Sequence, residues 1–347
     1  MPVRDLSSLT RAFWEQVFGP GVSTGEPDRI GEGMIGANYR ITIESHRSDV
    51  PRSVVVKLPS PGEESRAAGV AHRTYEREAK FYMHLAGTLD VRRPHCHWVE
   101  FDESSHDFVL VLEDLAPAVP GNQITGCTVD EAARAVLELA KLHGPRWGDP
   151  TLYDVDWLQR RTARADIEML QAVYQQLMTP FLATYAKYFT PRQHDLAVAF
   201  GPRLADWIDG RGTTLTLGHG DYRLDNLLFG SAQGGPPVAV VDWQTPNHGP
   251  GSVDVSYFMG AAVMPDVRRS IEDGLIDEYI AAIRVYGVEV DRAAFHGEYA
   301  HASFAGLVMA VIASTVVTKT ERGEAMFAAM ATRAAQHALD LHAFDVL

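Results

Sequence analysis

Asp221 and Asn226 stand five residues apart in the run Leu217-Gly-His219-Gly-Asp221-Tyr-Arg223-Leu-Asp225-Asn226-Leu-Leu-Phe229. The run ends in an apolar stretch of strand character. A carboxylate and an amide so spaced suit phosphoryl transfer: the carboxylate orients an attacking hydroxyl and accepts its proton, while the amide oxygen reaches a magnesium ion. Sixteen residues on, Asp242 closes the buried-strand run Val238-Ala-Val-Val241 and is followed by Trp243-Gln244. Asn226 and Asp242 offer the hard oxygens that Mg²⁺ takes, with phosphate oxygens and water completing the shell. A lone Asp at a strand end is ordinarily a turn former. The two elements in this order carry the reading.

Phosphate chemistry also needs cations and a cradle. Lys57 ends the apolar run Val54-Val-Val56, so its ammonium either snorkels to water or meets a partner. Glu78 has Tyr75, Phe81 and Tyr82 at i−3, i+3 and i+4, which puts a carboxylate on the apolar face of a helix and makes Lys57 its natural partner. Such a strand Lys and helix Glu hold the α- and β-phosphates in kinases. Gly31, Gly33 and Gly36 form G-x-G-x-x-G, a weak signal alone. This loop runs into the alternating Tyr39-Arg-Ile-Thr-Ile43 and so joins strand to strand, the geometry of a Gly-rich loop over nucleotide phosphates rather than of a dinucleotide-binding turn into a helix. No G-x-x-x-x-G-K-[ST] occurs, which removes the P-loop NTPases.

The elements that position these groups are legible in outline. Leu6 to Phe18 spaces Leu9, Phe13 and Val17 as an amphipathic helix would. Short strands are expected at 29–30, 39–43, 53–57 and 108–112, with a helix at about 67–85. Residues 116–125, with two prolines and a glycine, read as a boundary. Thr128-x-x-Glu131 is a capping box that opens a helix to Leu142, with Gly144 placed to end it, and His143 reads as a helix-end cap. Three or so helices fill 154–210, strands follow at 214–217, 226–229 and 238–241, the last two as a hairpin, and helices run from about Val255 to the end. The uncharged stretch Ala302 to Thr318 is short for a membrane span and reads as one buried core helix.

Composition narrows the classes. The chain has 347 residues, 46% hydrophobic and 22% charged, enough for about two lobes around a sizeable core. A net charge of −14 has the wrong sign for a nucleic-acid partner. It divides as −5 over residues 1–115 and −9 over 116–347, so neither part is a cation trap. Two cysteines, Cys96 and Cys127, with no C-x-x-C, fit a reducing, cytoplasmic compartment and give no zinc signal. The His95-Cys96-His97 run lacks a second ligand pair. Met1 to Asp5 leads into a charged amphipathic stretch, so no signal peptide is expected. Gly21-Val-Ser23-Thr-Gly25 matches a hydrolase elbow without the strand and helix that one requires.

His219-Gly-Asp221-x4-Asn226 followed by Asp242-Trp-Gln resembles the aminoglycoside phosphotransferase and choline kinase-like superfamily, small-molecule kinases with a protein-kinase-like fold. The matching motifs lie in order from residue 31 to 258. The resemblance implies an α+β, bilobal protein-kinase-like fold: a small N-lobe of antiparallel sheet plus helix over 1–115, a hinge at 116–125, and a larger, mainly helical C-lobe over 126–347. It implies Asp221 as catalytic base, Asn226 and Asp242 as Mg²⁺ ligands, and Lys57 with Glu78 positioning the phosphates of ATP. The backbone of Glu113 and Leu115 would bond the adenine, and Asp254 would cap a helix and brace the catalytic loop. Two departures from protein kinases, Gly220 in place of Arg and Asp-Trp-Gln in place of Asp-Phe-Gly, disfavour protein substrates. Arg223 falls where protein kinases carry a γ-phosphate lysine, and it is assigned that role here.

The acceptor is then a hydroxyl of a small molecule, with no nucleic acid and no membrane involved. Sequences of this kind are assigned to aminoglycosides, choline or ecdysteroid-like sterols, and the even charge distribution leaves an apolar alcohol open. Aromatic surface for it would come from Trp157, Tyr174, Tyr185, Tyr188, Phe189 and Trp207, most of which read as core, and above all from Trp243 beside the metal ligand. Two other readings stay open: a nucleotide-binding pseudokinase without turnover, and a metal-dependent hydrolase using His219, Asp221 and Asp242.

Overall fold

The structure, a computed structural model, describes residues 5–31, 35–158, 163–212, 214–316 and 320–347. Its N-terminal part is an antiparallel sheet of β1 (Ser23–Thr24), β2 (Asp28–Ile30), β3 (Gly36–Glu44), β4 (Ser53–Pro59), β5 (Cys96–Phe101) and β6 (Phe108–Glu113). The order is β1-β3-β4-β6-β5, with β2 also pairing on β3. Alternation along β4 decides the site. Val54, Val56 and Leu58 face Ile41, Ile43, Val109 and Val111, under Phe13, Trp14 and Phe18 of helix α1 (Arg11–Phe18). Lys57 faces the other way, toward α3 (Thr74–Lys80), which follows α2 (Glu63–Ala71).

Two helices differ from expectation for local reasons. Thr10 caps α1 by accepting from the Phe13 N–H, so the helix starts at Arg11 and buries Phe13, Trp14 and Phe18, with Leu6, Leu9 and Val17 partly buried against the same cluster. The single helix expected over 67–85 is broken at Arg73, whose φ of 54° is left-handed, and it closes with a π turn at Phe81–Leu85. The interruption leaves Tyr75, Glu78, Phe81 and Tyr82 all buried beneath the sheet.

The C-terminal part is mainly helical: α4 (Val129–His143), α5 (Arg164–Tyr185), α6 (Pro191–Phe200), α7 (Leu204–Asp209), α8 (Gly251–Ala262), α9 (Pro265–Ile283), α10 (Arg292–Ala302), α11 (Ala305–Val316) and α12 (Glu321–Asp340). The capping box at Thr128 and Glu131 is present. Gly144 stays right-handed and is needed for a different reason, because a Cβ there would lie 2.0 Å from the Tyr286 ring. A small sheet joins β7 (Val119–Pro120), β9 (Leu227–Ser231) and β10 (Gly234–Val240) in the order β10-β9-β7. A second pairs β8 (Leu215–Gly218) with β11 (Asn247–Pro250), a strand of poor β propensity made by its partner. Most of the apolar stretch read as one core helix is α11, which begins after a break from α10 at Ser303-Phe304, while residues 317–318 lie outside the described ones; among the described residues no helix is long and apolar enough to cross a membrane. One core cluster runs from Tyr75 and Phe81 under the N-terminal sheet to Tyr222, Val240 and Trp243 of the C-terminal part, so the seam between the two parts is packed side chain on side chain.

Behind that core lies a buried charge network. Glu272 on α9 accepts from Arg268 Nη1 at 2.7 Å and from Tyr299 Oη at 2.6 Å, and its Oε1 lies 2.7 Å from His337 Nε2 of α12. Burial works against the carboxylate, but His337 and Arg268 hold its pKa at about 2. A folded pKa below the unfolded one gives stability that is present above the unfolded value and lost as pH falls through the folded one. Glu272 therefore contributes up to ~3 kcal/mol at neutral pH that disappears between about pH 5 and pH 2. Glu272→Gln is expected to unfold more easily than the native chain at pH 7, with the gap closing toward pH 2 in chemical-denaturation curves.

Candidate active site

The seam gathers the residues singled out by sequence. Lys57 Nζ lies 2.9 Å from Glu78 Oε1, 2.7 Å from Glu78 Oε2 and 2.7 Å from Asp242 Oδ1. One ammonium thus serves two carboxylates. Burial alone would lower the lysine, but Asp242 and Glu78 carry its pKa well above the ordinary range. Burial raises Glu78, whose carboxylate is almost wholly enclosed, while Asp242, a third exposed, is drawn down by Lys57 despite its own burial. Asp242 follows β10 in a left-handed conformation, φ 66°, which Asp tolerates better than most residues. Gly36 opens β3 beneath this cluster, where a Cβ would meet Lys57 Cε at 3.2 Å and the Leu58 carbonyl at 3.4 Å. Gly31 has φ 69° at the other end of the loop, and Gly33 lies outside the described residues.

Asp221 sits on the loop after β8, which turns at Gly220, φ 81°, where a Cβ would fall 2.4 Å from the Thr245 carbonyl. Its Oδ2 accepts from Arg223 Nε and from Asn226 Nδ2, each at 3.0 Å, and its Oδ1 accepts from the Tyr257 hydroxyl at 2.8 Å. Asn226 Nδ2 also donates to the Asp221 carbonyl at 2.9 Å, which turns the amide nitrogen to Asp221 and leaves Oδ1 as the free face of the amide. The Asn226 backbone carbonyl accepts from the Val241 N–H at 3.0 Å, so the two candidate metal-ligand segments are stitched together. Their oxygens are the hard donors that Mg²⁺ prefers, and the donor set fits that ion.

Arg223 is committed within the loop: beyond Asp221 it donates to Asp225 Oδ2 at 2.8 Å and touches Met326 Sδ at 3.2 Å. Asp225 is held further by Arg322 Nη2 and by the Gln123 N–H, each at 3.1 Å. Burial lowers the Arg223 pKa and the surrounding carboxylates more than restore it. Asp254 does not cap α8, whose N-cap position is Pro250. It accepts instead from the backbone N–H of His219 at 2.6 Å and of Gly220 at 3.1 Å. His143 is buried behind it, between Tyr279 Oη at 2.8 Å and Asp254 Oδ2 at 3.3 Å, a bridging role rather than a helix-end cap.

Glu113 and Leu115, expected at the hinge, have partners of their own. The Glu113 N–H donates to the His95 carbonyl at 2.8 Å while its carboxylate pairs with Arg92 at 2.7 Å, and the Leu115 carbonyl accepts from the Ala118 N–H at 2.9 Å.

One aromatic is not where sequence placed it. Trp243 is wholly buried, stacked on Phe81 at 4.0 Å between ring centroids, because Asp242 and its neighbour point to opposite sides of the turn. Trp157 and Tyr174 are core. Tyr185 lines a cavity of about 290 Å³ between α5, α11 and α12, with Phe181, Phe327, Ser314, Thr315 and Glu324. Phe327 of this lining follows Met326, which touches Arg223, on α12. Sequence reading missed Gln123, Arg322 and Tyr257. Only Tyr257 carried a signal, its i+3 spacing from Asp254 on one helix face.

The profile of the ecdysteroid kinase-like family matches residues 30–286, about three quarters of the chain. A comparison with curated protein sequences finds no match. Among solved structures, choline kinase from Cryptosporidium parvum is 9% identical with a TM-score of 0.57, covering 96% of this chain and 94% of its own. A microcompartment-associated aminopropanol kinase is 14% identical at 0.54, covering 97% and 100%. An aminoglycoside phosphotransferase solved with GDP and kanamycin is 15% identical at 0.53, covering 88% and 93%. At such identities the likeness is one of fold, the bilobal protein-kinase-like fold. With the family match over most of its length and this fold around the Asp221 loop, the chain belongs to the ecdysteroid kinase-like family.

Proposed function

We propose that the chain is a small-molecule kinase that moves the γ-phosphate of ATP to an alcohol hydroxyl, with an N-lobe over 1–115, a hinge at 116–125 and a C-lobe over 126–347. The observation that carries this is the convergence of Asp221, Asn226, Asp242 and the Lys57–Glu78 pair in one seam. The acceptor oxygen attacks the γ-phosphorus as the bond to the bridging oxygen breaks. The diphosphate leaves with the electron pair, and Asp221 takes the hydroxyl proton. Lys57, oriented by Glu78, holds the α- and β-phosphates, and the Glu113 carbonyl and Leu115 N–H hold the adenine under the loop of Gly31, Gly33 and Gly36. Asn226 and Asp242 would hold Mg²⁺, which when bound supplies positive charge against the phosphate oxygens. Arg223 orients the base and places a cation beside the transferring group.

The cavity supports a neutral, largely apolar alcohol as acceptor. The one carboxylate among its described lining residues, Glu324, is already paired with Lys187 at 2.9 Å, so it makes no demand for a cationic ligand. The hydroxyl protons of Thr184, Ser314 and Thr315 go to carbonyls of their own helices. Filling the space with Thr184→Trp is expected to raise the acceptor KM at least about tenfold by steric exclusion, with the KM for ATP unchanged.

The whole reading is tested by ³¹P-monitored ATP consumption against a panel of hydroxylated compounds, native chain beside Asp221→Ala. No acceptor-dependent difference defeats it, and ATP binding without transfer favours the pseudokinase. The hydrolase reading has lost its histidine: His219 Nδ1 accepts from the Asp221 N–H at 3.3 Å and Nε2 meets the Val241 carbonyl at 3.1 Å, so backbone occupies both ring nitrogens.

A further inference from the structure

We propose that Tyr257 is a positioning residue for the catalytic base, aiming the one lone pair of Asp221 that receives the acceptor proton. This rests on the assignment of Asp221 as that base. A carboxylate offers about four acceptor directions. Arg223 Nε and Asn226 Nδ2 occupy both on Oδ2, and the Tyr257 hydroxyl, at 2.8 Å, occupies one on Oδ1. One direction is left for the acceptor hydroxyl. With Oδ2 alone held, the group could still tilt about its Cβ–Cγ bond, so the Tyr257 contact sets where Oδ1 lies.

The surroundings make Tyr257 a rigid support. It lies one helical turn beyond Asp254 on α8, so one helix face grips three consecutive residues: Asp254 takes the N–H groups of His219 and Gly220, and Tyr257 takes the carboxylate of Asp221. The ring is 3% exposed and backed by α11, where a Cβ at Gly306 would come within 3.5 Å of its Cδ2. Burial first, then the Asp221 charge, keeps the phenol protonated and therefore always a donor. Nothing links Tyr257 to Lys57, Glu78 or Asp242, which separates its effect from nucleotide binding.

The test uses MgATP with water as acceptor, so that no alcohol need be known. Tyr257→Phe is compared with the native chain and Asp221→Ala for kcat and KM of phosphate release, with thermal midpoints read alongside. Tyr257→Met, which fills similar space without the hydroxyl, is measured in the same way and decides the matter should the Phe variant not fold. A misaimed base is expected to lower kcat about tenfold or more with KM for MgATP within about twofold and the fold intact. A kcat within twofold of native, or a fall matched by a rise in KM, overturns the proposal. Where the native chain releases no phosphate to water, the same four proteins are compared on the panel of hydroxylated compounds; absence of any Asp221-dependent transfer there defeats the kinase reading itself, and the proposal with it, and so is distinguishable from a failure at Tyr257 alone.

Discussion

Asp221→Ala is expected to lower acceptor-dependent phosphoryl transfer by about 10²–10⁴-fold, the range a positioned general base contributes, while ATP affinity stays within about threefold. The asymmetry follows from the geometry. Asp221 touches Arg223, Asn226 and Tyr257, and none of these touches the Lys57–Glu78–Asp242 cluster through a side chain. Removing the carboxylate also takes a negative charge away from the triphosphate's surroundings, so any change in affinity runs toward tighter binding. Arg223 keeps its pair with Asp225 at 2.8 Å, which holds the loop together without the base. Transfer followed by ³¹P resonance and ATP binding followed by calorimetry check both halves. A rate within threefold of native removes Asp221 from the chemistry, and a parallel collapse of ATP binding makes it structural.

That separation between binding cluster and base was legible in the sequence because each half is written in local spacing. Asp221 and Asn226 meet across one short turn, and Lys57 faces Glu78 because strand alternation and helix periodicity each point a charge into the same core. The strand–loop–strand reading of 28–43 holds for a local reason too, the alternation of Tyr39 to Ile43 after the glycines, and Asp28–Ile30 pairs on it. What was not legible depends on direction at irregular backbone. Trp243 was expected beside the acceptor because it adjoins Asp242, yet the left-handed turn at Asp242 sends its ring into the core against Phe81. Tyr257 sits in an apolar run of α8, where an aromatic reads as packing, and its hydroxyl becomes meaningful only once the Asp221 loop lies beneath it. Asn247–Pro250 pairs as a strand although its residues do not favour one, since β8 supplies the partner.

Lys57→Met is expected to cost about 3–5 kcal/mol of stability at pH 8, the range for breaking a buried ion pair from one side. The ammonium is 6% exposed and is the cation for both Glu78 and Asp242. Without it Asp242, a third exposed, is partly relieved by water, whereas Glu78 is left as a buried carboxylate with no counter-charge. Burial already raises the Glu78 pKa, and loss of Lys57 raises it further. A raised folded pKa favours the fold below the unfolded pKa and loses that advantage as pH rises toward the folded value, so the Lys57→Met deficit is expected to be smaller at pH 5 than at pH 8. Lys57→Met combined with Glu78→Leu removes both buried charges and is expected to recover most of the stability, since an apolar pair of similar volume often equals a buried ion pair. ATP affinity does not follow stability: both variants lack the ammonium assigned to the phosphates, and both are expected to bind ATP at least about tenfold more weakly. Denaturation curves at the two pH values and calorimetric titration of ATP, on both variants and the native chain, check these expectations. If the double variant regains ATP binding along with stability, Lys57 is a structural cation and the phosphates are held elsewhere.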